Sequence, residues 1–387
     1  MAELCPFRAL RCTDRASIPI QAETGENPAL DRKLADWLSN QKKGDETLKQ
    51  DTDPGLMIYE QEFTHLGQRK KVKGLLSLVK IEEETILLPH EEVSIQKEQE
   101  HFELLQKTGC QLRPVYCMYE DDERKTMSRV QLLSSGKPRF EWKENGTVHR
   151  IWLVNDILVI AAIKEDFLDR RLFLADGHSR YAAAQAIRQS GGSDYIFTFL
   201  ADMEQEFTFL PSHCLIRNLE SWNEAKFLAD CEPFFQVIPR GTVDEIPTNL
   251  DALYRQGKKA FAFYSGGANW TLLILKDTEL MGELLPDKSE SFRQLDVSIF
   301  HSLVLEKLLA IPKDNENAIS TDSIEEALTS VQNGEAQCAF FLNPARRKEI
   351  CEISEVGEKM PPQSTSFFPV FPVAAAIYKS TEIDFIK

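Results

Sequence analysis

RLFLADGHSRYAAAQAIRQS, residues 171–190, is the stretch on which the fold turns. Leu172, Phe173, Leu174 and Ala175 form a short apolar run, long enough for a buried strand. Asp176 and Gly177 break the run, and glycine reaches the backbone angles of a sharp turn without steric penalty. From Tyr181 the pattern becomes helical, with Ala182, Ala183, Ala184, Ala186 and Ile187, and alanine is the strongest helix former. Gly191 and Gly192 stop the helix. The expectation is a strand over 172–175, a turn at Gly177 and a helix over 180–189.

Such a junction puts Asp176, His178, Ser179 and Arg180 at a helix N-terminus directly after a strand. The first backbone N–H groups there lack partners and the helix dipole is positive, which suits a phosphate or carboxylate. Arg180 adds a planar fork of donors, and His178 and Ser179 add single donors. Asp176 would be repelled by an anion, so its role is a metal ligand, a base or a brace for Arg180. An ordinary turn, with Asp176 capping the helix and Arg180 in solvent, fits the same residues.

Working outward, Ile86–Leu88 reads as a short strand ended by Pro89, and a helix follows from Glu91 or Ser94 to Thr108, closed by Gly109. Ile95, Phe102 and Leu105 mark its buried stripe. His90 and Glu91 therefore occupy a second strand-to-helix junction, where an acid ordinarily complements the helix dipole. Strands are expected at 56–63, 72–81, 114–119 and 194–200, a hairpin at Asn145-Gly146, and helices around Leu30–Leu38 and over 157–168. A loop is expected at 42–46, and His213 follows a proline as a loop residue.

Beyond a boundary near 215–222, Ser221 and Glu224 form a capping-box pattern that opens a helix to Asp230. A hairpin follows over 259–277, an apolar helix over 295–310, a helix over 323–331 and a strand over 337–342. Asn343-Pro344 reads as the start of a helix over 344–354. The stretch MPPQSTSFFPVFPVAAAIY, 360–378, is broken by prolines yet too hydrophobic for a disordered tail, so it needs a surface to cover.

The 387 residues exceed one typical core and suggest two domains. With 61 acidic and 45 basic side chains the formal net charge is -16. That disfavours nucleic-acid partners, which need a basic surface, and adsorption to anionic membranes. No apolar run approaches a bilayer span, and the first residues lack a signal-peptide core. The eight cysteines are scattered without CxxC pairs, so a structural zinc site is disfavoured and a reducing cytoplasm is the simplest home. Cys117 and Cys338 lie in apolar runs and read as buried thiols.

Taken together, the segments resemble the uncharacterised prokaryotic family called domain of unknown function 1015. The resemblance rests on Pro6, Phe7, Ala9, Leu10 and Arg11; on Pro89, His90 and Glu91; on the strand from Trp152 to Asp156; and on the ADGHHRY-type signature at 175–181. It continues through Pro211, Ser212 and His213, through Leu295, Asp296 and Val297, through Phe341–Pro344, and through Met360, Pro361, Ser364 and Thr365. The DGHHR box is also similar to that of ParB/sulfiredoxin-like proteins and free-serine kinases, a likeness covering about residues 80–205.

That resemblance implies an α+β fold: a ParB/sulfiredoxin-like core in residues 1–210 and a C-terminal α+β region in 211–387, whose Pro/Phe-rich tail packs back on the core. It implies a nucleotide-dependent phosphotransferase acting on a small hydroxylated metabolite. Gly177, His178, Ser179 and Arg180 would hold the phosphates of ATP or ADP, Asp176 would hold Mg²⁺, and Glu91, beside His90 and with Glu92 as second choice, would be the base. His213, Ser364 and Thr365 are accessory candidates. The alternatives are a non-catalytic nucleotide- or anion-binding protein and, less favoured, a ParB-like nucleic-acid-associated protein. Departures from the family pattern are Ser179 for the second histidine, Cys214 where an arginine is common, and Gln363 and Val370 at positions often basic. The 90–91 and 176–180 clusters are expected to converge, because junctions at one sheet edge face one crevice.

Overall fold

The computed structural model describes residues 2–12, 28–39, 48–81, 86–312 and 315–380. The architecture is mixed α+β. The loop read at 42–46 lies outside the described residues, and the helix read at Leu30–Leu38 spans Pro28–Ser39. Contacts divide the chain into two units. The first comprises residues 1–89, 93–208 and 367–387, and the second comprises residues 90–92 and 209–366.

Among its described residues the first unit holds β1 (Leu4–Cys5), β2 (Leu56–His65), β3 (Gln68–Lys80), β4 (Leu87–Pro89), α1 (Ile95–Thr108), β5 (Val115–Tyr119), α2 (Lys125–Leu133), β6 (Phe140–Glu144), β7 (Thr147–Val154), α3 (Ile157–Phe167), β8 (Leu172–Asp176), α4 (His178–Gln189) and β9 (Tyr195–Asp202). The strands form one mixed sheet in the order β4-β8-β5-β9-β3-β2-β7-β6, with β1 beside β3. β8 runs parallel to β4 and antiparallel to β5.

Both faces of the sheet are covered, which is why the central strands read as continuous apolar runs rather than as an alternation. On one face Leu172 and Leu174 join Ile58, Leu75, Cys117 and Ile196 in a core with Ile163 and Phe167 of α3 and Tyr181 of α4. On the other, Tyr59 meets Phe199 at 5.5 Å and Phe371 at 4.5 Å between ring centres. Gln61 Nε2 donates to the Val370 carbonyl at 2.9 Å, so the final Pro- and Phe-rich stretch supplies cover for β2. Asn145 and Gly146 both adopt positive φ, 47° and 79°, as the tight hairpin demands.

Helix α1 starts where Ser94 accepts the Lys97 N–H and stops at Gly109, φ 62°. Of the expected stripe, Leu105 packs partly buried against the core, whereas Ile95 does not. Ile95 is 86% exposed, and His101 and Leu104 are the buried residues. The helix begins at Ile95, so that residue sits in its first turn. Helix α2 has no cap at the usual position, since Arg124 at its start has φ 52° and makes none; the Asp121 carboxylate, three residues earlier, accepts the Thr126 and Met127 N–H groups instead.

The second unit is built on an antiparallel six-stranded sheet. Its elements are β10 (His213–Ile216), α5 (Glu224–Cys231), β11 (Phe235–Arg240), α6 (Ile246–Arg255), β12 (Ala260–Tyr264), β13 (Trp270–Leu275), α7 (Asp296–Ile299), β14 (Ala318–Thr321), α8 (Ile324–Gln332), β15 (Cys338–Phe341) and α9 (Arg347–Glu355). The strand order is β11-β13-β12-β15-β10-β14. Leu215, Leu250, Ala262, Trp270, Leu272, Val331 and Phe341 pack in its core. Cys117, Cys214, Cys231 and Cys338 are buried thiols in the two units.

Four local readings change here. Ser221 takes φ 54°, and Asn223 caps α5 instead by accepting the Lys226 N–H. Asn343 does not start a helix, because its side-chain amide donates to the Leu250 carbonyl. Helix α9 starts at Arg347, with the Glu349 carboxylate accepting the Arg346 N–H. The apolar helix leaves α geometry after Ile299 and continues as a π-helix over Phe300–Leu308. His213 lies in a strand, not a loop.

Candidate functional site

The turn between β8 and α4 has the form its sequence requires. Gly177 stands at φ 93° and caps α4 with no side-chain hydrogen bond. A Cβ added there would lie 2.6 Å from Arg180 Nη2, so the guanidinium is folded against the glycine and only glycine allows it. Arg180 Nη2 donates to Asp176 Oδ2 at 2.8 Å, an i,i+4 ion pair with side-chain exposures of 13% and 38%. Of the three roles open to Asp176, the brace for Arg180 is the one this pair fits. Partly exposed i,i+4 pairs contribute only about 0.3–0.5 kcal/mol, whereas each charged hydrogen bond to a ligand contributes roughly 1.5–3 kcal/mol. A phosphate that reached the fork would displace Asp176.

His178 and Ser179 are buried, at 8% and 2% exposure. Their backbone N–H groups open α4, and their side chains are enclosed rather than exposed to solvent. Beside Asp176, directly across from it on β5, stands Tyr116, buried with its ring against Phe199 and Phe207. Burial, and secondarily the Asp176 charge, push its phenol well above the ordinary range. Nothing in the sequence marked Tyr116 beyond its place in an apolar run.

Among the described residues no group of three or more His, Cys, Asp or Glu side chains could hold a metal ion. Asp176 offers one carboxylate, already paired with Arg180. Mg²⁺ is usually held by one or two carboxylates together with a substrate's phosphates, so Asp176 could serve as one ligand only after leaving Arg180.

The second cluster forms within the other unit. The Glu91 carboxylate accepts the Gln363 N–H at 2.8 Å, the Thr365 N–H at 3.1 Å and the Thr365 hydroxyl at 2.7 Å. With that hydroxyl hydrogen committed to Glu91, Thr365 Oγ1 accepts from His90 Nε2, 2.9 Å away. The Met360 N–H donates to the His90 carbonyl and the Glu92 N–H to the Met360 carbonyl. The PHE segment and the MPxxST segment, far apart in sequence, are thus knitted together. Ser364 is buried and donates to the Pro361 carbonyl at 2.6 Å. His213 is buried too. Its Nδ1 accepts the Leu342 N–H at 3.2 Å, and burial lowers its pKa to about 4. It is a neutral strand histidine at neutral pH.

The clusters at 90–91 and 176–180 belong to different units. β4 and β8, which precede them, are parallel neighbours in register at Pro89 and Leu174, and both end at one edge of the first unit's sheet.

Among solved structures, free serine kinase in complex with AMP is 14% identical at TM-score 0.41, over 76% of this chain and 88% of that one. A mutant of that kinase in complex with ADP is 12% identical at 0.41, over the same shares. A conserved hypothetical protein from Pyrococcus furiosus is 13% identical at 0.38, over 77% of this chain and 96% of that one. No curated protein matches. The family model described as protein of unknown function, DUF1015, matches residues 20–298, well over half of the sequence, and the chain belongs to that family.

Proposed function

We propose that this protein binds a nucleotide by its phosphates at the 176–180 turn and passes a phosphoryl group to a small hydroxylated molecule. The observation that carries the reading is the Arg180 guanidinium folded over Gly177, the glycine at the N-cap of α4. Phosphate oxygens would take the N–H groups of the first turn and the Arg180 fork, displacing Asp176 from it. In the transfer, a P–O bond forms to the acceptor hydroxyl as the bond to the departing nucleotide breaks. The hydroxyl proton passes to Glu91, the base that the likeness to free-serine kinases implies.

A second reading, nucleotide binding without turnover, is favoured by one specific observation. Three hydrogen bonds occupy the Glu91 carboxylate oxygens and hold them on the 363–365 segment, where a base would need a lone pair for substrate. The two readings separate in one experiment. Thermal shift with ADP, ATP and CTP tests binding. ATP consumption with small hydroxy acids tests turnover, and loss of turnover in Glu91→Gln with binding kept supports the catalytic reading. Binding with no turnover on any acceptor supports the second. No stabilisation by any nucleotide rejects both.

A further inference from the structure

The Asp176 side chain must go somewhere once an anion takes its place on Arg180. Its cross-strand partner on β5 is Tyr116, paired with it just beyond a shift in register between Leu174 and Asp176. The Tyr116 hydroxyl is buried and makes no hydrogen bond among the described residues. A buried O–H without an acceptor is costly, so its retention next to the site calls for an explanation. Its ring is packed against Phe199 at 4.8 Å and Phe207 at 5.4 Å between ring centres.

We propose that Tyr116 is a positioning residue of the anion site: its hydroxyl donates to the Asp176 carboxylate when an anion displaces that carboxylate from Arg180. Arg180 and Tyr116 are then alternative donors to one acid. The arginine holds it before binding and the tyrosine receives it afterwards, so the phosphate need not share its fork with a stranded charge. This rests on the proposed anion site and adds to it a residue that neither the signature nor the helix terminus indicates.

The test is Tyr116→Phe, which keeps the ring and removes only the oxygen, with pyrophosphate and ADP as probes. Without ligand, the variant is expected to melt at the same temperature as the parent or higher, since no hydrogen bond is lost. Its affinity for both probes is expected to fall about tenfold, the scale of one charge-assisted hydrogen bond. A tyrosine difference absorption on adding ADP should appear in the parent and vanish in the variant. Equal affinities in the two proteins overturn the inference and leave the anion site standing. A lower melting temperature without ligand also overturns it, by showing that the hydroxyl is bonded already. If neither probe binds the parent, the anion site and this inference fall together.

Discussion

Two strand-to-helix junctions in this protein begin alike and finish differently. At 176–178 the chain passes from β8 into α4 through a single glycine at the N-cap, with an arginine folded over the turn. After β4 the chain takes five residues to reach α1, and Ser94 accepts the Lys97 N–H with its hydroxyl. The first helix start has a glycine at its N-cap and an arginine beside it, while the second is capped by a serine hydroxyl. The polar residues between β4 and α1 turn elsewhere: Glu91 and His90 gather the 363–365 segment. A helix N-terminus alone is therefore no site in this protein. What distinguishes the first is the glycine that lets the guanidinium approach.

That contrast can be broken most severely at Gly177. Gly177→Ala must adopt φ near 93° and pushes a methyl group into the Arg180 guanidinium. We expect a stability loss of about 1–3 kcal/mol and near-abolition of nucleotide binding, read by urea titration and calorimetry. A variant of parental stability and affinity would show that the guanidinium need not lie over the glycine.

Glu91→Gln should come next in size. The amide keeps the shape but offers one acceptor where three hydrogen bonds converge, so a loss of about 1–3 kcal/mol is expected, with ADP affinity within twofold of the parent. A parallel loss of affinity would mean that Glu91 supports the phosphate site as well as the 363–365 turn.

The smallest effect is expected at Ser94. Ser94→Ala removes the cap and should cost about 1 kcal/mol, visible as a lower melting temperature. The opened terminus should gain no affinity for pyrophosphate. A gain would mean that an uncapped helix suffices for binding and that Arg180 is incidental.

Much of the first junction was legible because its signals are local. A four-residue apolar run, Asp-Gly and an alanine-rich segment fix strand, turn and helix within twenty residues, and the glycine at positive φ follows from them. The Asn145-Gly146 hairpin was legible for the same reason. What escaped is what depends on residues distant in sequence. Ser221 and Glu224 have the spacing of a capping box, but Asn223 lies closer to the helix and takes the role. Asn343-Pro344 looks like a helix start until the asparagine amide is claimed by Leu250, nearly a hundred positions earlier. In the site itself, the residue types were readable and their partners were not. Ser179 reads as a donor and is buried, and Glu91 reads as an acid complementing the helix dipole or a base and is held by three hydrogen bonds. Tyr116 was invisible because a tyrosine in an apolar strand looks like any core residue until its strand is paired.

The central claim, that the open turn at Gly177 and Arg180 is an anion site, is tested most directly by calorimetric titration of ADP into the parent protein and into Arg180→Ala. The account predicts binding to the parent and a loss of about 100-fold in the variant, the sum of a forked pair of charge-assisted hydrogen bonds. Equal affinity in the two proteins, or no heat of binding in the parent at any nucleotide concentration, would contradict it.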